Sequence, residues 1–360
     1  YNALYANTTG TQNTAVGVNA LYASTTGTQN TAVGVNALVA STTGTYNTAM
    51  GVSALWANTT ASYNTAMGYG ALYANTTGTY NTAVGYNALV ASTTSSNNTA
   101  MGYSALATNT TGPNNTAMGY NALYANTTGT QNTAVGVSAL GANTTADYNT
   151  AMGVSALGAS TTGTYNTAMG VNALGANTTG TQNTAVGVSA LYANAGTQNT
   201  AVGVSAGSSI TTGLNDTCIG YSAQPSTATA TNEVTLGNSS ITTLRCAVTT
   251  ITAISDRRDK TSIEDIPLGL DFINAIQPRR FTWNTRDGAK VGIPDSGFIA
   301  QEFQAAQTKF DADWMGLVYA EDPEKLQATP GKLLPVLVKA IQELSAKNAL
   351  LEARLNVAGL

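Results

Sequence analysis

A serine hydroxyl and a lysine amine lie five residues apart in the segment Ser255-Asp256-Arg257-Arg258-Asp259-Lys260. A serine is a weak nucleophile until an adjacent base takes its proton, and this chain holds no histidine to do so. A partly desolvated lysine is the candidate that remains, because an ammonium sheds its proton readily once removed from water. Taken alone, the same six residues read as an ordinary charged turn capping a strand. The lack of histidine also removes histidine-based triads and the commonest metal ligand, so no metal and no cofactor is expected. The two cysteines, Cys218 and Cys246, make no framework. Cys218 stands where neighbouring repeats carry alanine, which favours a small buried thiol over a disulfide.

Charge divides the chain in two. Of the 18 acidic residues, only Asp147 and Asp216 precede residue 233, and all 14 Lys and Arg lie at or after Arg245. A nearly uncharged Thr/Asn/Gly/Ala stretch is followed by a normally charged tail. A stretch without Lys or Arg neutralises no phosphates, so nucleic acid is not an expected partner, and it has no basic face for anionic lipid. No apolar run approaches the roughly 20 residues of a membrane-spanning helix, and no signal peptide is visible.

The uncharged part repeats. Twelve leucines fall every 17 residues from Leu4 to Leu191, within a phrase close to NTA(V/M)G(V/Y)(N/S)AL followed by A(N/S)TTGT. A glycine keeps the same beat from Gly17 to Gly187 and, after a unit one residue shorter, resumes at Gly203, Gly220 and Gly237. A fixed period of this length means one turn of chain stacked on the next. Recurrent Val, Leu, Met and Tyr with almost no charge oppose disorder. The unit is too short for two helices, and its β-branched residues disfavour helix. TAVGV and ALYA read as short β-prone stretches and NTTGTQN as turn chemistry. The expected fold is mainly β: a parallel β-solenoid or β-roll over residues 1–238. Fourteen rungs at about 4.8 Å would give a rod on the order of 65–70 Å. One Leu, one Val or Met and several Ala per rung make a thin core, which suggests several chains packed together. Tyr1-Asn2-Ala3-Leu4 is the end of a phrase, so more protein, with upstream tail or anchoring partners, is expected before Tyr1.

Variation between rungs marks where binding could sit. The position after the leucine accepts both Trp56 and Gly141, so it should be exposed. A second column includes Tyr46, Tyr63 and Tyr80, and a third turns from Val to Tyr at Tyr69, Tyr86, Tyr103 and Tyr120. Aromatic ladders with amide neighbours can stack on sugar rings, and Tyr63, Tyr69, Tyr80, Tyr86, Tyr103 and Tyr120 are candidate glycan contacts. The alternative is that they stack on one another or fill a seam between chains. The recurrent Thr pair raises a lesser reading, an ice-binding face, but it lies beside Gly in turn chemistry.

Residues 239–254 form a β-prone neck with period-2 alternation. Beyond it come SDRRDK, GLDFINAIQP, GFIAQE and a final helix. In that helix Leu334, Ile341, Asn348 and Leu355 fall seven apart, with Leu337, Leu344 and Leu351 interleaved. This is the a/d seam of a coiled coil over residues 333–355, and Asn348 at an a position fixes register and parallel alignment. Phe272, Phe281, Trp283, Phe298 and Phe303 look like the core of this region.

These four ordered elements, from Ser255 to the C-terminus, resemble the self-cleaving C-terminal intramolecular chaperones of the endosialidase type, found on bacteriophage tail fibres and tailspikes. The repeat phrase resembles the head repeats of trimeric autotransporter adhesins and the shafts of tail fibres. The first resemblance implies a small α+β domain (255–360) that trimerises, folds the β-fibre before it, and cuts itself free. It implies Ser255 as nucleophile, Ile254–Ser255 as the scissile bond and Lys260 as base. Asp256 and Asp259 would then hold Lys260 charged until assembly. The shaft carries no paired carboxylates and is not itself expected to be an enzyme. The resulting expectation is a homotrimeric fibre of a virion tail, made in the host cytoplasm, that attaches to a host cell-surface glycan or receptor. The alternative is a bacterial surface adhesin or extracellular filament using the same chaperone.

Overall fold

A computed structural model describes residues 1–245, 255–286, 290–320 and 326–358. The chain divides into two compact units, Tyr1–Asn238 and Ser239–Leu360.

The first unit is a parallel β-solenoid. Fourteen three-residue strands, from β1 (Thr14–Val16) to β14 (Val234–Leu236), form one sheet in sequence order. Each strand pairs in parallel with the next, residue i on residue i+17: Thr31 on Thr48, Ala32 on Ala49, Val33 on Met50. The coil therefore closes on the rungs of a single chain. The short unit shifts this spacing by one, placing Thr184 on Thr200. Its missing residue comes out of the Thr-Thr turn, where Ala195-Gly196 follows Asn194, so the strands stay in step.

The thin core is supplemented by buried amides. Every rung from Ala32 to Leu191 buries two alanines and one leucine, as in Ala32, Ala37 and Leu38, all at 0% exposure. An asparagine before each strand from β1 to β12 also points inward. The Asn47 N–H donates to Asn30 Oδ1 at 3.0 Å, and Asn47 Nδ2 donates to the Ala61 carbonyl at 2.8 Å. The pattern repeats from Asn13 to Asn199, then continues through Asp216, whose carboxylate accepts the Glu233 N–H at 3.0 Å. Buried polar groups are tolerated where they are bonded, and here each amide serves two rungs.

The expectation that ALYA is β-prone is corrected. Only TA(V/M) is strand; the AL segment is a tight turn in which every repeat leucine is left-handed, from Leu4 at φ 55° to Leu191 at φ 50°. That conformation costs about 1–2 kcal/mol for a residue with a Cβ. Burying the leucine side chain returns about 1.5–3 kcal/mol, so the arrangement is affordable. The backbone bond from Leu38 N–H to the Ala54 carbonyl at 3.0 Å holds it in place. The glycine after each strand has no such latitude: a Cβ on Gly34 (φ 137°) would lie 2.5 Å from the Gly51 carbonyl oxygen.

In the second unit, residues 239–245 are irregular, and residues 246–254 of the expected β-neck, Cys246 among them, lie outside the described residues. A 3₁₀ turn (Arg257–Asp259) precedes α1 (Leu270–Ala275). The antiparallel pair β15 (Arg279–Asn284) and β16 (Val291–Gly297) follows, then α2 (Ala300–Lys309), a short pair β17 (Val318–Tyr319) and β18 (Gln327–Ala328), and α3 (Leu334–Ala358). Phe272, Phe303, Leu317 and Val336 form the core. Of the five aromatics expected there, Phe272 and Phe303 are buried. Phe298 is half-buried and packs on the core, whereas Phe281 and Trp283 lie half-exposed on β15 with their rings edge to face. A strand of a two-stranded ribbon has one face to bury, and the burial in β15 alternates accordingly.

Candidate functional site

The SDRRDK segment folds as a capped turn. Asp256 is the N-cap of the 3₁₀ turn, accepting the Arg258 N–H at 2.8 Å. The Arg258 guanidinium closes on the same carboxylate, Nε to Oδ1 at 3.0 Å and Nη2 to Oδ2 at 2.6 Å. The Lys260 N–H then donates to the Arg257 carbonyl at 3.2 Å. This reversal returns the Lys260 side chain to the start of the segment. Its Nζ donates to Ser255 Oγ at 2.5 Å.

The contact is short enough for proton transfer between the two groups. The lysine is the donor in this contact. Both side chains are exposed in the single chain. Ile254, on the other side of the expected scissile bond, lies outside the described residues.

The expected hold of Asp256 on Lys260 is not what forms. Arg258 takes that carboxylate, and its guanidinium holds the Asp256 carboxyl below the ordinary carboxylate range. Among the described residues no ion pair joins Asp259 to Lys260; the fork geometry of arginine suits a carboxylate two residues away.

Two further relationships were not foreseen from spacing. Arg279 of β15 and Glu302 of α2 form an ion pair at 2.7 Å, with the Glu302 carboxyl lowered by the bond to the guanidinium. Glu343 of α3 accepts the first N–H of α1, from Leu270, at 2.8 Å. Both join residues distant in sequence, and no local pattern announces them.

In α3, only Val336 and Ala340 are buried in the chain. Leu334, Leu337, Ile341, Leu344, Asn348, Leu351 and Leu355 are all exposed and fall on the a/d positions.

The tyrosines do stack. Tyr46, Tyr63 and Tyr80 form one ladder with centroids 4.9 Å apart, and Tyr69, Tyr86, Tyr103 and Tyr120 another at 5.1–5.2 Å. Within a ladder the ring faces cover each other, leaving edges and hydroxyls outward. Beyond the end rings the columns continue with other side chains, Gln29 and Asn97 in the first and Val52 and Val137 in the second. The position after the leucine is exposed where it is large: Trp56 stacks on Tyr73 at 5.0 Å. From Thr8 to Thr161 the first Thr of each pair donates its hydroxyl to the next rung, as Thr76 Oγ1 does to the Thr93 carbonyl at 3.0 Å. Those hydroxyls are committed to the coil, which weakens the ice-binding alternative.

Among the described residues no helix is long and apolar enough to cross a membrane, and no cluster of three metal-ligating side chains occurs.

A family model described as chaperone of endosialidase matches residues 255–312. No curated protein and no solved structure matches the chain. The match begins at Ser255 and includes the capped turn, α1, β15, β16 and α2; it stops short of α3. The chain thus joins a β-solenoid shaft to an endosialidase-chaperone segment, the organisation of a fibre-like protein with a chaperone domain.

Proposed function

We propose that this chain is the distal part of a bacteriophage tail fibre that attaches to a host surface. The chaperone domain assembles it as a homotrimer and then releases it by one cleavage at Ile254–Ser255. The observation that carries the reading is the contact between Lys260 Nζ and Ser255 Oγ, at the first residue of the matched segment.

Each part has a physical role. A repetitive shaft has little to fix its register against a copy of itself, since a slip of one rung restores nearly every contact. A parallel three-chain seam along α3, with Asn348 at its centre, supplies that register. Assembly also removes water from exposed groups, which turns Lys260 from donor into base. Ser255 Oγ then attacks the Ile254 carbonyl carbon as its proton passes to Lys260 Nζ. The ester formed as the Ile254–Ser255 amide breaks is hydrolysed by water, leaving a carboxylate on Ile254 and a free amine on Ser255. Glycan contact falls to the Tyr46–Tyr63–Tyr80 ladder, whose rings are all exposed beside the amides Gln29 and Asn97.

The test has two arms. Sedimentation of the full chain should give a trimer; a monomer at micromolar concentration would overturn the assembly role. Labelled shaft should bind bacteria bearing surface polysaccharide, with the signal reduced by Tyr63→Ala and Tyr80→Ala together. Unchanged binding by that double variant would remove the tyrosine ladder from the contact.

A further inference from the structure

On the outward side of the shaft strands an apolar stripe runs beside the column of strand threonines. Thirteen successive rungs carry Val, Met or Ile at the third strand residue, and Val or Tyr two positions later, without a polar exception. Val16 and Val18 begin the stripe; Ile219 and Tyr221 end it. These side chains are not folded under. Met118 is 39% exposed, Val137 46%, Tyr120 52% and Tyr221 69%. The other exposed columns differ: the one holding Tyr63 also accepts Gln131 and Asn97, the one after the repeat leucine falls from Trp56 to Gly141, Gly158 and Gly175 and so makes no continuous surface, and the Thr-Thr segment is polar from Thr8 to Thr179.

The exposed area of this stripe is on the order of 10³ Å², where a soluble monomer leaves contiguous apolar patches of about 300–600 Å². It meets the roughly 800 Å² that one partner contributes to an ordinary stable interface. No charged side chain interrupts it, and Asp147, the one charge in the middle of the shaft, lies outside the stripe with its half-buried carboxylate bonded to the Thr130 N–H at 2.6 Å.

We infer that this stripe is the seam along which copies of the shaft pack on one another, in parallel and in register. The occupant follows from the periodicity. A surface repeating once per rung over thirteen rungs is matched along its length by a partner with the same rung spacing, which a second copy supplies. The tyrosines give the seam its register mark. Tyr69, Tyr86, Tyr103 and Tyr120 form one unbroken block, bounded by Val52 below and Val137 above. In register, tyrosine meets tyrosine across all four rungs. A slip of one rung sets a tyrosine against Val52 or Val137, with a volume mismatch at both ends of the block. This ladder therefore belongs to the interface between copies, and the Tyr46–Tyr63–Tyr80 ladder is left to ligands.

The inference rests on the homotrimer reading, and cysteine cross-linking separates the two. In a full chain with Cys218→Ala and Cys246→Ser, a single cysteine is placed at Val137→Cys or, as a control in the same rung, at exposed Thr145→Cys. A disulfide needs Cβ atoms about 3.5–4.5 Å apart, so only residues near the axis shared by the copies can join. Mild oxidation followed by denaturing electrophoresis should give a covalent dimer for Val137→Cys and none for Thr145→Cys. If sedimentation shows a trimer but Val137→Cys fails to cross-link, or Thr145→Cys does so equally, the seam is overturned and the homotrimer stands. A monomer in sedimentation overturns both.

Discussion

Lys260 and Ser255 meet at 2.5 Å because Asp256 is held by Arg258. The carboxylate caps the turn that returns the lysine, so the acidic residue shapes the dyad without touching it.

Asp256→Ala should therefore slow cleavage. Loss of the N-cap loosens the turn, and each turn that opens separates the amine from the hydroxyl. Asp259→Asn should leave the rate unaltered, since no ion pair ties Asp259 to Lys260. Single-turnover cleavage followed by electrophoresis distinguishes the two, and acceleration by Asp259→Asn would restore the carboxylate-restraint idea.

The asparagine ladder makes Asn132 a sensitive position. Its side chain accepts the Asn149 N–H at 3.0 Å and donates to the Ala146 carbonyl at 2.7 Å, both buried. Asn132→Ala leaves these partners unmet at about 1–3 kcal/mol each. Denaturant unfolding should show the loss in Asn132→Ala and nearly none in exposed Thr145→Ala.

Glycines in the shaft divide into two kinds. Gly136 has φ 135°, and a Cβ there would lie 2.5 Å from the Gly153 carbonyl oxygen. Gly136→Ala should cost more than the roughly 1–3 kcal/mol of left-side strain alone. Gly141→Ala should be tolerated, since Ala107 fills the same slot in another rung. Equal midpoints in urea for the two variants would contradict the backbone account.

Cys218 replaces a core alanine and sits at 0% exposure. Burial, reinforced by the nearby Asp216 and Glu233 charges, pushes its thiol from 9.0 up to about 11. The folded state thus keeps the proton longer than the unfolded state. Its contribution to stability is intact below pH 9 and lost as pH rises towards 11. Iodoacetamide at pH 8 should label Cys218 only after unfolding, and Cys218→Ala should flatten the alkaline decline relative to wild type.

Much of the shaft was legible in the sequence because its rung spacing is written as a literal repeat: Gly17 to Gly187 and Leu4 to Leu191 count the turns directly. What the repeat leucine does was not legible. Leucine seldom takes a left-handed backbone, so ALYA read as β-prone, and only the hydrogen bonds between rungs reveal why the turn wins. The inward asparagines were hidden for a similar reason, since Asn beside Thr and Gly reads as turn chemistry until the next rung supplies its partner. In the tail, the pairing of Ser255 with Lys260 rested on resemblance, because a serine followed by five charged residues has no periodicity to interpret. The Arg258–Asp256 pair could not be told from a Lys260–Asp256 pair by spacing, as both are within reach of the carboxylate.

The central claim is tested most directly by intact mass on freshly expressed wild type beside Ser255→Ala and Lys260→Met. The account predicts that wild type breaks between Ile254 and Ser255 while both variants stay whole and still sediment as trimers. An uncut wild type, or a Lys260→Met chain that cleaves as fast as wild type, would contradict it.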